Sequence, residues 1–245
     1  IKLNEIPCFF TKHADFFMKH LILLRHGQSA WNLENRFTGW TDVELSDKGR
    51  EEAAAAGKKI AAAGLLPQYC FTSYLKRAIH TLDIALTAMD RVWLPVVKDW
   101  HLNERHYGAL QGLDKGVTAD KYGAGQVHVW RRSYDVQPPA LTADDPRFPG
   151  HDPRYALLSS EELPLTESLR DTIARVRPCW EELIVPQLQL RDTVLVAAHG
   201  NSLRALVMML LHLTPDEVMK TEIPTGAPWV FDLGDRLEPL SNRYL

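Results

Sequence analysis

Five short apolar runs punctuate the chain: His20–Leu24 (HLILL), Tyr69–Thr72 (YCFT), Trp93–Val97 (WLPVV), Thr193–Ala198 (TVLVAA) and Trp229–Leu233 (WVFDL). Each is too short for a helix and rich in β-formers, so each reads as a buried strand. Between them the spacing turns helical. Ser46 is placed to cap an Ala-rich helix running from Asp47 to Ala63 and stopped by Gly64. Leu75–Met89, Leu169–Leu183 and Leu203–Leu213 also carry apolar residues at helical intervals. Strands alternating with helices predict βαβ units, hence an α/β fold with a mostly parallel sheet and helices on both faces. Ligands in such folds bind beyond the carboxyl ends of the strands. The stretch Val136–Pro164 is rich in Pro, Asp and Gly and has no period. A helical pattern and a strong strand follow it, so it is expected to be an ordered excursion over the site rather than a linker. The sequence has no internal repeat and no low-complexity tract.

Composition narrows the function. The chain has 245 residues, 45% apolar and 24% charged, with a net charge of −3. That supports a sizeable core and gives no bulk attraction to nucleic acid or an anionic membrane, so any basic site must be local. Cys8, Cys70 and Cys179 form no C-x-x-C pair and are odd in number, which fits a reduced cytoplasmic setting with Cys70 and Cys179 as core residues. No apolar run is long enough to span a bilayer. Residues 1–17 match neither a signal peptide nor a clean transit peptide and read as an extension before one catalytic domain over residues 18–245.

Candidate chemistry sits at the strand ends. The first strand leads into Arg25-His26-Gly27-Gln28-Ser29, and the strand at Thr193–Ala198 leads into His199-Gly200-Asn201-Ser202. Parallel neighbours would bring both imidazoles to one sheet edge. Arg25 should disfavour imidazolium at His26, keeping it nucleophilic, and its fork of donors can hold a phosphate. Gly27 should allow a sharp turn and close approach of a ligand. Arg77 falls at a helix start, where a cation sits poorly unless an anion is bound. Glu104, in Leu102–Gly108, is the general acid/base candidate; phosphate charge beside it would raise its pKa toward neutrality. Lys115, Arg131 and Arg132 add local positive charge. No carboxylate or cysteine lies at ligand spacing from either histidine, so a metal site is not expected.

These residues lie in longer blocks: LLRHGQSAWN (23–32), ENRFTGWTD (34–42), TSYLKRAIHTL (72–82), LNERHYGALQGL (102–113), WRRSYD (130–135), PGHDPRY (149–155) and AAHGNSLRAL (197–206). On them the chain resembles the cofactor-dependent phosphoglycerate mutases of the histidine phosphatase superfamily, from about Met18 onward. R-H-G marks only the superfamily, most of whose members are phosphatases; the LNERHYG and WRR segments and the Pro-rich excursion are more specific to the mutases. The resemblance implies a three-layer sandwich and a phosphohistidine at His26. It implies that Arg25, Arg77 and His199 hold the transferring phosphoryl group, with Asn32 assisting, and that Glu104 is the acid/base. Ser29, Thr38, Gly39, Tyr107, Lys115, Arg131, Arg132 and Asn201 would bind the rest of a phosphoglycerate. It further implies 2,3-bisphosphoglycerate as the primer, no metal, and a homodimer or dimer of dimers. Gln28 stands where these mutases more often have Glu, and residues 1–17 have no family counterpart. The resemblance implies a mobile Ala- and Lys-rich tail beyond Arg243-Tyr244-Leu245; if the natural protein ends here, phosphate leakage to water should rise, and if the tail is merely absent from this sequence, nothing changes. The expected activity is interconversion of 3- and 2-phosphoglycerate. Hydrolysis, or synthesis and breakdown of 2,3-bisphosphoglycerate, on the same site is the alternative. A silent scaffold would have lost one of His26, Arg77, Glu104 or His199, and none is missing.

Overall fold

In the computed structural model, residues 18–245 are described, and the extension expected over residues 1–17 lies outside them. The strands are β1 (Lys19–Arg25), β2 (Tyr69–Thr72), β3 (Val96–Lys98), β4 (Thr193–Ala198), β5 (Pro228–Leu233) and β6 (Pro239–Tyr244). They form one sheet in the order β3-β2-β4-β1-β5-β6. The first four in that order are mutually parallel, while β5 pairs antiparallel with both β1 and β6. The expected α/β architecture is therefore present, with an antiparallel edge.

The helices are α1 (Ala30–Leu33), α2 (Asp47–Ala62), α3 (Lys76–Ala88), α4 (Lys115–Tyr122), α5 (Ala124–Arg132), α6 (Leu169–Pro178), α7 (Val185–Leu190), α8 (Gly200–Leu211) and α9 (Pro215–Lys220). They cover both faces of the sheet, and strand alternation decides which residues each layer meets. Leu21, Leu23, Val194 and Val196 pack with Ile173 and Val176 of α6 and Leu203 and Leu206 of α8. Ile22, Leu24, Leu195 and Ala197 pack on the other side with Ala56 and Ile60 of α2 and Leu82 and Ala85 of α3. Each buried Leu or Ile contributes about 1.5–3 kcal/mol. Small residues let α2 and α3 close: a Cβ on Gly57 would lie 2.4 Å from the Ala85 carbonyl oxygen.

Local signals worked where the chemistry is local. Ser46 caps α2, its hydroxyl accepting the Gly49 N–H at 3.1 Å. Cys70 and Cys179 are buried and free. Elsewhere the boundaries move. The strand expected at Trp93–Val97 begins only at Val96, because Pro95 has no N–H for a ladder, and Trp93 is exposed. The helix expected over 169–183 loses regular pairing at Pro178, passes through a widened π turn at Cys179–Ile184, and continues as α7 to Leu190. Helix α8 begins at Gly200, immediately after His199, rather than at 203. Helices α1, α4, α5 and α9 and strand β6 were not foreseen; β6 is exposed along its length and is held by β5.

The 136–164 excursion is ordered, with short 3₁₀ turns at Pro149–His151 and Pro153–Tyr155. It was expected to lie over the site, but its residues do not line the pocket that opens from His26. Tyr155 is buried with Trp40 (ring centroids 4.9 Å apart), and its hydroxyl accepts the Asn103 amide at 2.8 Å. The Pro139 carbonyl accepts the Ala109 N–H at 2.8 Å. The excursion thus buttresses the loop over 102–113 from behind. Among the described residues, no helix is long and apolar enough to cross a membrane.

Candidate active site

Strands β1 and β4 are adjacent and parallel, with Arg25 opposite Ala198. The next residue of each strand is a histidine, so register alone brings His26 and His199 together. The His26 N–H donates to the Ala198 carbonyl at 2.9 Å, and the imidazole centroids are 5.0 Å apart.

The two rings are prepared differently. His26 Nδ1 lies 2.7 Å from the Gly27 carbonyl oxygen. That oxygen can only accept, so Nδ1 carries the proton and Nε2 keeps the lone pair that a nucleophile needs. Burial holds the His26 pKa well below its ordinary value, assisted by Arg77 and then by Arg25. Arg25, expected to disfavour imidazolium, does so as the smallest of the three. His199 Nε2 lies 2.8 Å from Ser73 Oγ, which also accepts the Leu75 N–H. In the tautomer in which the Ser73 hydroxyl donates to Nε2, Nδ1–H is free to donate. Burial, then Arg77, keeps His199 neutral as well.

Three buried donors around this pair have no partner among the described residues: His199 Nδ1, Arg25 Nε and Arg77 Nε. Leaving such groups unpaired costs about 1–3 kcal/mol each, so their clustering marks the place of an acceptor-rich ligand. Each guanidinium is also anchored to backbone carbonyls. Arg25 Nη1 donates to the Ile223 carbonyl (2.8 Å), and Arg77 Nη1 and Nη2 donate to the Thr41 and Gly39 carbonyls (3.0 and 2.7 Å). Burial lowers the Arg77 pKa to about 10, which leaves it charged at neutral pH. Gly39 has φ +55°, and a Cβ there would strike the Gln111 side chain.

Glu104 is 8% exposed, and its Oε1 accepts three N–H groups: Arg105 N (2.8 Å), Asn201 N (3.1 Å) and Asn201 Nδ2 (2.9 Å). Oε2 is left for a proton. The segment carrying it is clamped by a buried pair. Arg175 Nε donates to Glu167 Oε1 at 2.6 Å, and Arg175 also reaches the carbonyls of His101, Asn103 and Glu104. Glu167 Oε2 in turn accepts the His106 N–H at 2.7 Å.

A pocket opens from His26 and is lined by Arg25, Asn32, Thr38, Gly39, Arg77, Glu104, Tyr107, Lys115, Arg131, Arg132 and Asn201, among others. Positive charge therefore stands at two poles, one around the histidines and one at Lys115, Arg131 and Arg132. Burial and Arg131 lower the Lys115 pKa. Two expectations need correction. Ser29 is fully buried and does not line the pocket; its hydroxyl accepts the Asn32 N–H and caps α1. Gly27 is required because Gly49, at the start of α2, approaches it: a Cβ on Gly27 would lie 2.1 Å from the Gly49 carbonyl oxygen. Asn201 lines the pocket, but its side chain is committed to Glu104 and to Arg204 (Nη1 to Oδ1, 3.2 Å). Sequence reasoning missed Arg36, Phe37, Arg204 and Glu222, which also line the pocket. The first three lie inside the blocks at 34–42 and 197–206 and could have been drawn from them; Glu222 lies in none. Among the described residues, no three His, Cys, Asp or Glu side chains gather as a metal site.

The family model of the histidine phosphatase superfamily (branch 1) matches residues 21–237. Among solved structures, a mycobacterial glucosyl-3-phosphoglycerate phosphatase in complex with VO3 is 28% identical. It covers 87% of this chain and 92% of its own, with a TM-score of 0.65. A protein described as mycobacterial hydrolase 1 is 25% identical over 93% of this chain and 97% of its own, with a TM-score of 0.69. A putative α-ribazole-5′-phosphate phosphatase from Escherichia coli is 19% identical over 93% of this chain and 94% of its own (TM-score 0.67), a likeness of fold alone.

Proposed function

The chain belongs to the histidine phosphatase superfamily, and on that premise we propose that it interconverts 3- and 2-phosphoglycerate through a phosphohistidine at His26. The observation that carries this reading is the pair of cationic poles in one pocket, three orphaned donors at one end and Lys115 with Arg131 and Arg132 at the other. A simple phosphate ester needs only the first pole. A phosphorylated carboxylic acid has an anionic group for each.

In the transfer, His26 Nε2 attacks phosphorus as the P–O bond breaks, and Glu104 gives a proton to the departing oxygen. Arg25, Arg77 and His199 Nδ1–H stabilise the equatorial oxygens of the loose transition state. In the return step Glu104 takes the proton of the acceptor hydroxyl, whose oxygen bonds to phosphorus as the P–N bond breaks. The residues fit a bisphosphorylated acid, because both poles can be occupied together; 2,3-bisphosphoglycerate supplies the phosphoryl group that first charges His26. The same reading carries a cytoplasmic homodimer or pair of dimers with no metal requirement.

A second reading is hydrolysis, with water as the acceptor. The relatives at 25–28% identity favour it over the mutase: one is described as a hydrolase and one as a phosphatase of a glucosylated phosphoglycerate. The mutase reading draws instead on the LNERHYG and WRR blocks, which supply Glu104, Tyr107, Arg131 and Arg132 to the pocket. One experiment separates them. The protein is incubated with 3-phosphoglycerate, with and without a trace of 2,3-bisphosphoglycerate, while 2-phosphoglycerate and free phosphate are followed together. The mutase gives 2-phosphoglycerate, accelerated by the trace. Free phosphate alone establishes the phosphatase. Undiminished turnover by His26→Ala would defeat both.

A further inference from the structure

The second pole holds a carboxylate that transfer chemistry does not require. Glu222 lines the pocket and bridges two of its arginines, Arg132 Nη1 at 2.9 Å from Oε1 and Arg204 Nη2 at 3.7 Å from Oε2. Its side chain is 67% exposed, but the backbone that carries it is fixed. The three carbonyls around it are tied down: Thr221 O accepts Arg204 Nε at 2.7 Å, Glu222 O accepts the Tyr244 hydroxyl at 3.1 Å, and Ile223 O accepts Arg25 Nη1 at 2.8 Å. The segment over 221–223 thus links the phosphoryl pole to the second pole, and Glu222 stands between them at the pocket wall.

From this placement we infer that Glu222 is a charge filter that sets which anions the second pole accepts. Its carboxylate already occupies Arg132 and Arg204. A ligand reaching the second pole is therefore held by Lys115 and Arg131, which have no carboxylate partner among the described residues, and it meets the negative charge of Glu222 alongside. Repulsion grows with the charge carried at that end. A carboxylate end is tolerated and a dianionic phosphate end is disfavoured, so the site holds monophosphorylated acids in preference to bisphosphorylated ones. This deepens the proposed function and rests on it for the identity of the ligands. The consequence is prompt release of a bisphosphorylated intermediate, which makes the supply of primer limiting.

The test compares wild type with Glu222→Gln, which keeps the shape and removes the charge. Equilibrium binding is measured for inorganic phosphate, 3-phosphoglycerate, 2,3-bisphosphoglycerate and the uncleavable probe 2-carboxyethylphosphonate. At a separation of several ångströms in a half-solvated pocket, one charge is worth roughly a threefold change in affinity per unit of ligand charge. The expected result is tightening of about threefold for the two ligands with a carboxylate end, about tenfold for 2,3-bisphosphoglycerate, and less than twofold for phosphate. These gains should shrink as salt is added. An equal gain for all four, or none, overturns the filter. If neither protein binds phosphoglycerates while E222Q still gains for carboxyethylphosphonate over phosphate, the filter stands and the phosphoglycerate assignment falls.

Discussion

Replacing Arg175 by Met tests whether Glu104 is held by a buried ion pair. The Arg175 and Glu167 side chains are 6% and 5% exposed. Removing the guanidinium leaves the Glu167 carboxylate buried without a cation, an uncompensated charge worth about 3–5 kcal/mol. The carbonyls of His101, Asn103 and Glu104 lose a donor at the same time, which pushes the loss toward the upper figure. Against a typical total of about 5–15 kcal/mol this is a large fraction. For a domain of this size it should lower Tm by roughly 6–20 °C. Urea unfolding followed by tryptophan fluorescence measures it directly. The double variant R175M/E167Q removes the stranded charge while retaining an acceptor for the His106 N–H, and should recover at least about 2 kcal/mol. In the folded variant, kcat should fall by about a hundredfold with KM little changed, because a misplacement near 1 Å at the acid/base costs about that much. A single-variant loss below about 1 kcal/mol, or a double variant no more stable than the single, refutes the reasoning.

Two further outcomes are expected. Glu104→Gln should slow transfer by roughly two orders of magnitude, the loss ordinary for a general acid/base, while leaving the Asn201 contact intact; single-turnover phosphorylation of His26 measures it, and an unchanged rate removes Glu104 from its role. The pH dependence of stability follows from His26, His106 and His199, all buried, all with pKa values lowered chiefly by burial, that of His106 to about 3. In the native state they stay neutral, whereas the unfolded chain takes up their protons as pH falls through about 6.5. The unfolded state then binds more protons, so stability is full above that value and declines below it, by about 1.4 kcal/mol per pH unit per histidine and about 4 for the three. Urea midpoints that stay flat between pH 7.5 and 5.5 contradict this.

Much of the frame was legible because its causes are local. Runs such as HLILL and TVLVAA are strands because both faces of the sheet are covered, so no polar alternation interrupts them. Ser46 and the Ala-rich run declared α2. Pro95 and Pro178 were equally visible, yet their effect on β3 and on the long helix depended on ladder and turn partners that spacing does not display. The excursion was recognised as ordered, but its side of the site was misread, since Trp40 and Tyr155 lie far apart along the chain.

The sequence by itself determined which residues could do chemistry: two His-Gly strand ends, a guarded carboxylate and a supply of arginines. Proximity was beyond it. The β1–β4 register that sets His26 against His199 is a long-range pairing, and so is the approach of Gly49 that makes Gly27 obligatory. The tertiary structure alone turned Ser29 inward as a cap, aimed Asn201 at Glu104 and set Glu222 between two arginines. Hydrogen-bond partners and net local charge depend on what the fold brings within about 4 Å, and neighbours along the chain supply only a few of those groups.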